Sequence, residues 1–418
     1  MFYFFFYYPL GLDVRTRGKL WVTWGLVGAS FLGFAVVMLV PEWLWTHYSN
    51  LIYIPAKPTF PSLIANAFMH GDWLHLMSNM LALVVFGPAL EARLGAWRFA
   101  LLFLFAHVAG NLVQGAVALL FLPATAEYGV LGASGAIAGL MGVVLVRLHF
   151  ARLRVGYWAF LPLQAYVQAG TRTLPVMVAI LLWFLMQIGL AVAQSQGGET
   201  GIAVGSHLGG LATGTAMGML LGLRRDAAAE RHLECGRRYL SQAQWYAAQG
   251  EFLDYLRYCP EDPEGHLELA RTYRVTTRSA DAADHYRLAC EHFAQLGRMD
   301  RVEAIHAEAA RTSASFALAP RLQLQLGKLF ERTFKRDLAE NLYLTYARIY
   351  PTHEGASFAL FRAARLAHER RDHEAARALY VQLLLAHAAT VEADSARLAL
   401  QELNGFSSSE RAPQADAA

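Results

Sequence analysis

Six stretches of mostly apolar residues divide the first half of the chain: roughly Lys19–Val40, Leu74–Leu94, Phe99–Leu122, Val130–Leu148, Leu174–Ala193 and Gly201–Leu223. Each approaches the ~20 residues a helix needs to cross a bilayer, so the pattern predicts six membrane spans. Past Leu223 the chain turns charged and soluble in character. The expected fold is all-α: a polytopic six-helix membrane bundle followed by a soluble helical domain. The overall mean hydropathy of +0.28 averages over these two unlike halves.

Charge placement orients the spans. Arg15, Arg17 and Lys19 precede the first; Arg93 and Arg98 separate the second and third; Arg147, Arg152, Arg154 and Arg172 separate the fourth and fifth; Arg224 and Arg225 follow the sixth. The opposite loops carry only Lys57 among their lysines and arginines. By the positive-inside rule both termini face the cytoplasm, and the expected location is the inner (plasma) membrane of a bacterium. A net charge of +3 without a basic, aromatic-laced stripe gives no reason to expect nucleic acid as a partner. The opening MFYFFFYYPLGL has neither the basic leader nor the cleavage site of a signal peptide, and is expected to lie along the membrane interface. Cys235, Cys259 and Cys290 all fall in the second half at spacings that suit neither zinc nor redox chemistry, so they are expected as packing thiols, with no metal and no cofactor.

Polar side chains inside the spans carry the chemistry. Ser134 and His207 fall four and six residues past the starts of the fourth and sixth stretches, which run in the same direction. His75 and Asn79 stand four apart on one face near the start of the second, with His70 and Asp72 just before them. Ionisable groups within a bilayer are costly and default to function or mutual pairing. In the sixth stretch Gly210, Gly214, Gly218 and Gly222 recur every four residues on nearly the face of His207, and the fourth is equally rich in small residues. Packing these surfaces together would bring Ser134 within reach of His207. A serine needs a base to become a nucleophile, and a neutral imidazole is the usual one. His75, Asn79 and the backbone N–H of Ser134 are candidate donors to the oxyanion that would form. Neither span contains a carboxylate that could orient His207, which predicts a dyad rather than a triad. His107, Asn111, Gln114 and Gln187 are expected to be interhelical hydrogen bonders.

These residues closely resemble the rhomboid family of intramembrane serine proteases over about the first 225 positions. The likeness rests on Gly132-Ala133-Ser134-Gly135 as the nucleophile motif, His207 with Gly210 and Gly214, the His75/Asn79 pair, His70 five residues earlier, and Glu91 with Gly95 after the second span. The resemblance implies a six-helix fold around a water-filled cavity opening to the outer face, with Ser134 attacking and His207 as general base. It implies membrane-anchored or single-span protein substrates cut in or near a transmembrane helix, without metal or nucleotide. Two features depart from the family. Ala138 stands where many members have a tyrosine that packs against the base, so His207 must be positioned in another way. The first outer loop also lacks the family's common Trp-Arg pair.

The second half resembles tetratricopeptide repeats, with small and aromatic residues at fixed offsets: Gly236, Tyr239, Ala248, Phe252, Tyr255 and Pro260; Ala270, Tyr273, Ala282, Tyr286 and Ala289; Leu326, Gly327, Phe330, Ala339, Tyr343 and Pro351; Ala364, Ala367, Ala376 and Tyr380. That resemblance implies a soluble helical solenoid that binds a cytoplasmic protein partner. The expected organisation is a cytoplasmic segment at 1–18, a membrane protease domain at 19–223, a charged linker at 224–230, the repeats at 231–404 and a disordered polar tail at 405–418. The alternative is a catalytically inactive scaffold of the same fold that binds transmembrane proteins. A transporter is disfavoured because the spans lack an acidic pair, an inverted repeat or a broken midplane helix.

Overall fold

The computed structural model describes residues 4–16, 18–39, 49–161, 166–198, 201–313 and 315–409. Arg17, the first eight residues of the predicted 41–73 loop (41–48), and residues 410–418 of the tail lie outside them. The chain divides into two compact units, Met1–Ala228 and Ala229–Ala418.

The first unit contains helices α1 (Trp21–Leu39), α2 (Trp73–Leu94), α3 (Ala96–Leu120), α4 (Ser134–Arg147), α5 (Val176–Ser195) and α6 (Val204–Leu220). Among the described residues, α1, α2, α3 and α5 are long and apolar enough to cross a membrane. Helices α4 and α6 are shorter, at 14 and 17 residues. The expected fourth span starts at Val130, but the helix starts at Ser134. Just before it Gly132 sits at φ +104°, a conformation incompatible with a right-handed helix.

Helices α4 and α6 form the centre of this unit, and glycine sets their spacing. A Cβ on Gly210 would stand 2.0 Å from the Gly135 carbonyl oxygen, and one on Gly214 would stand 1.9 Å from that of Gly139. From the other side, a Cβ on Gly142 would meet the Leu211 carbonyl oxygen at 2.3 Å. The backbones therefore touch over two turns, the close approach that small residues permit between membrane helices. Gly222 departs from the expected stripe. It lies beyond the end of α6 at φ +69°, where it turns the chain instead of packing against a helix.

A buried carboxylate fastens α1. Glu91, 2% exposed near the end of α2, accepts the N–H groups of Val22 and Thr23 at 2.9 and 2.8 Å and the Thr23 hydroxyl at 2.6 Å. It thus satisfies the unpaired donors at the start of α1 and opposes the positive end of that helix. Gly95, at φ +78°, then ends α2 with its N–H on the Glu91 carbonyl. Glu91→Ala would strand three donors, two of them buried, and is expected to cost about 2–4 kcal/mol. A thermal melt of the detergent-solubilised protein should register that loss, with Glu91→Gln recovering part of it.

A sheet corrects the all-α expectation. Strands β1 (Phe4–Leu12), β2 (Arg152–Leu161) and β3 (Tyr166–Pro175) pair antiparallel in the order β1-β2-β3. The aromatic opening expected to lie along the interface, and the arginine-bearing segment after α4, are thus strands of one sheet. Their aromatic and β-branched residues suit a pleated surface. Leu12 and Leu153, partners across β1 and β2, belong to the same buried cluster as the helix core.

The second unit is a succession of helices: α8 (Trp245–Tyr258), α9 (Pro263–Val275), α10 (Ser279–Gln295), α11 (Met299–Ala310), α12 (Pro320–Arg332), α13 (Arg336–Ile349), α14 (Ala356–Glu369), α15 (His373–Ala386) and α16 (Val391–Ser409), with each helix packed on the next within α8–α11 and within α12–α16. Helix α7 (Leu223–Ser241) covers the segment expected as a linker, and α16 continues through residues expected as disordered tail. Ala248, Phe252, Ala270, Tyr273, Ala282, Tyr286, Ala339 and Tyr343 all enter one buried cluster. Rings sit against glycines in the manner the spacing suggests: a Cβ on Gly236 would meet Phe252 at 2.5 Å, and one on Gly327 would meet Tyr343 at 2.8 Å. Ion pairs reinforce successive turns, with Glu308 taking both Arg271 and the Tyr286 hydroxyl at 2.7 and 2.9 Å. Burial and the neighbouring His266 hold the His285 imidazole down at about 4, so at neutral pH the two rings share a 2.9 Å hydrogen bond uncharged.

Candidate active site

The residues leading into α4 are held extended from two sides. The Val130 N–H donates to the Tyr53 carbonyl at 2.8 Å, and the Gly132 N–H donates to the Asn66 carbonyl at 2.8 Å. The Asn66 amide donates to the Val130 carbonyl at 3.1 Å, while its Oδ1 takes hydrogen bonds from His107 Nε2 at 2.8 Å and Asn111 Nδ2 at 3.1 Å. Asn66 is fully buried, and sequence reasoning missed it. Its position outside every apolar stretch gave no burial signal, whereas its partners His107 and Asn111 are the interhelical bonders expected. The anchored segment delivers Ser134 as the first residue of α4 rather than inside a helix that begins at Val130. The Ser134 N–H is therefore one of the helix donors without an intrahelical partner.

His75 and Asn79 pack directly over this turn. A Cβ on Gly132 would lie 2.7 Å from His75 Nε2 and 3.4 Å from Asn79 Nδ2, so only glycine leaves room for both. Asp72 caps α2 by accepting the His75 N–H at 2.8 Å, which fixes where the pair emerges. Asn79 spends one amide hydrogen on the His75 carbonyl at 3.1 Å and retains the other. His70 is completely buried, edge-on to His75 with ring centroids 5.1 Å apart.

His207 lies in the first turn of α6, one turn before the Gly210 contact with Gly135. Gln114 on α3 steadies that turn by accepting the Ser206 N–H at 3.2 Å. The His207 Nδ1 is bonded to Gln187 Oε1 on α5 at 2.8 Å, and the Trp183 ring lies 5.8 Å away centroid to centroid. An amide oxygen only accepts, so Nδ1 carries the proton and Nε2 is the basic nitrogen. Among the described residues Ser134 and His207 share no hydrogen bond. Catalytic contacts of this kind often tighten only when substrate binds.

Apolar helices gathered around these polar side chains mark the unit as an integral membrane protein. Residues 57–224 match the family model of the Rhomboid domain. The mitochondrial Rhomboid protein 1 of Saccharomyces cerevisiae is 31% identical over 180 residues, covering 40% of this chain and 50% of that protein. The rhomboid protease GluP of Bacillus subtilis is 27% identical over 300 residues, covering 68% of this chain and 48% of that protein. The chain thus spans about half the length of these curated relatives. The solved MamA protein overlaps 38% of this chain and 92% of its own at 14% identity, with a TM-score of 0.21.

Proposed function

We propose that the protein is an intramembrane serine endopeptidase that cuts membrane-anchored substrates in or near a transmembrane helix, with Ser134 as nucleophile and His207 as general base. The observation that carries this reading is the convergence on one turn: Ser134 opens α4, His75 and Asn79 cover Gly132, and Gly135 meets Gly210 one turn from His207. Ser134 Oγ attacks the substrate carbonyl carbon as its proton passes to His207 Nε2. The Ser134 N–H, the free Asn79 amide hydrogen and His75 stand beside the place where negative charge develops. The imidazolium then protonates the leaving amine, and water, activated by the same ring, releases the acyl group. Six crossings of the inner membrane with both ends cytoplasmic follow from the arginine distribution, with the shorter α4 and α6 enclosed by the longer helices. In the same reading residues 19–223 form the protease domain and the repeats at 231–404 recruit a cytoplasmic partner or substrate tail. The main alternative, an inactive scaffold of the same fold, has in its favour the absent Ser134–His207 bond.

If Asn79 stabilises the oxyanion, Asn79→Ala should lower kcat by about 10- to 100-fold and leave KM nearly unchanged, since its donor matters most as charge develops. Steady-state cleavage of a membrane-anchored reporter measures both constants. A rise in KM alone would assign Asn79 to substrate binding.

A further inference from the structure

Helices α4, α5 and α6 contain no Asp or Glu to pair with His207, and among the described residues it makes no hydrogen bond to a carboxylate. A base of this kind still needs its tautomer and ring plane fixed, because a neutral imidazole offers a lone pair at only one nitrogen. Ala138 supplies no ring to do so. Two side chains that meet His207, Gln187 and Trp183, come from α5.

Helix α5 is one-sided. Its buried residues are Val176, Ile180 and Gln187, which fall on a single face, with Trp183 between them. Leu181, Leu182, Leu185, Met186 and Ile188 are exposed. Gln187 is 2% exposed and is the polar member of that buried face. A carboxamide in such surroundings is costly unless bonded, and its oxygen is bonded to His207 Nδ1 at 2.8 Å. Trp183 lies against the same imidazole with its ring tilted by 41°.

We propose that Gln187 is a positioning residue for the reaction: its carbonyl holds His207 in the Nδ1-protonated form, and Trp183 limits the ring's rotation, so that Nε2 is the nitrogen offered to Ser134. When Nε2 takes the Ser134 proton, Nδ1–H keeps its bond to the Gln187 oxygen, whose dipole favours the imidazolium. When Nε2 returns that proton to the leaving amine, the same bond restores the starting tautomer. The readiness of the base thereby depends on the seating of α5, a helix held by one narrow face. This inference rests on the Ser134–His207 reading above.

The test compares Gln187→Leu, Gln187→Glu and Ser134→Ala in the full-length, detergent-solubilised chain, using kcat and KM for a membrane-anchored reporter. Leu keeps the volume and removes the acceptor, so kcat should fall about tenfold or more with KM little changed. Glu keeps an acceptor at the same reach, so its kcat should exceed that of Leu. A packing role gives the reverse order, because an apolar site accepts Leu and resists Glu. Wild-type kcat in Gln187→Leu, or Leu above Glu, overturns the proposal. If either variant loses its folded elution profile, Gln187→Met takes its place and must show the same fall in kcat, or the proposal fails. Residual cleavage by Ser134→Ala would instead refute the catalytic pair itself, while an inactive Ser134→Ala beside a fully active Gln187→Leu refutes only the positioning role.

Discussion

Ser134→Ala is expected to abolish cleavage of a membrane-anchored reporter, a loss of about 10⁴-fold or more, with the folded state unchanged. The side chain is small, partly exposed and makes no hydrogen bond among the described residues, so its removal opens no cavity and strands no partner. His207→Ala should fall to a similar floor, and the double variant should be no worse than either single one. Groups that act as a unit show this non-additivity, because without the base the hydroxyl contributes almost nothing. Cleavage surviving in Ser134→Ala would remove the assigned nucleophile. Additive losses would argue that the two residues act in separate steps.

The largest structural effect is expected from Gly214→Val. The added Cβ would lie 1.9 Å from the Gly139 carbonyl oxygen, a contact that no rotamer relieves because both partners are backbone. Helices α4 and α6 would have to separate along the seam that brings Ser134 toward His207. A destabilisation of about 3 kcal/mol or more is expected, with activity lost alongside the fold. Gly218→Ala is the milder comparison, since its Cβ would stand 3.1 Å from the Val146 Cβ, a contact that a shift of a few tenths of an ångström relieves. Thermal melts of both should separate sharply; equal stability would mean the helix seam is not set by glycine.

Much of this arrangement is legible along the chain because its causes are local. Hydropathy marks where the apolar helices run, and four-residue glycine steps mark the face along which α6 meets α4. Ser134, His75, Asn79 and His207 stand out because polar groups within apolar stretches need a reason. In the second unit, small and aromatic residues at fixed offsets mark which positions interlock.

The missed features have non-local causes. Strand β1 pairs with residues about 150 positions away, as Tyr8 does with Gly156, and hydropathy carries no trace of that pairing. The run from Val130 reads as one span, yet Asn66 and Tyr53 hold its beginning extended, so the helix starts at Ser134. Gln187 could be recognised as a buried bonder, but its partner on α6 follows from the packing of α5 alone. Gly222 fits the period of the stripe and still falls outside it, because α6 ends at Leu220.

The most direct test of the catalytic reading is fluorophosphonate labelling of the purified, detergent-solubilised chain beside Ser134→Ala and His207→Ala. Labelling of the native chain that disappears in both variants is the expected result, since the probe requires an activated serine at Ser134. A folded native chain that resists two fluorophosphonates of different size, or labelling that persists in Ser134→Ala, would contradict it.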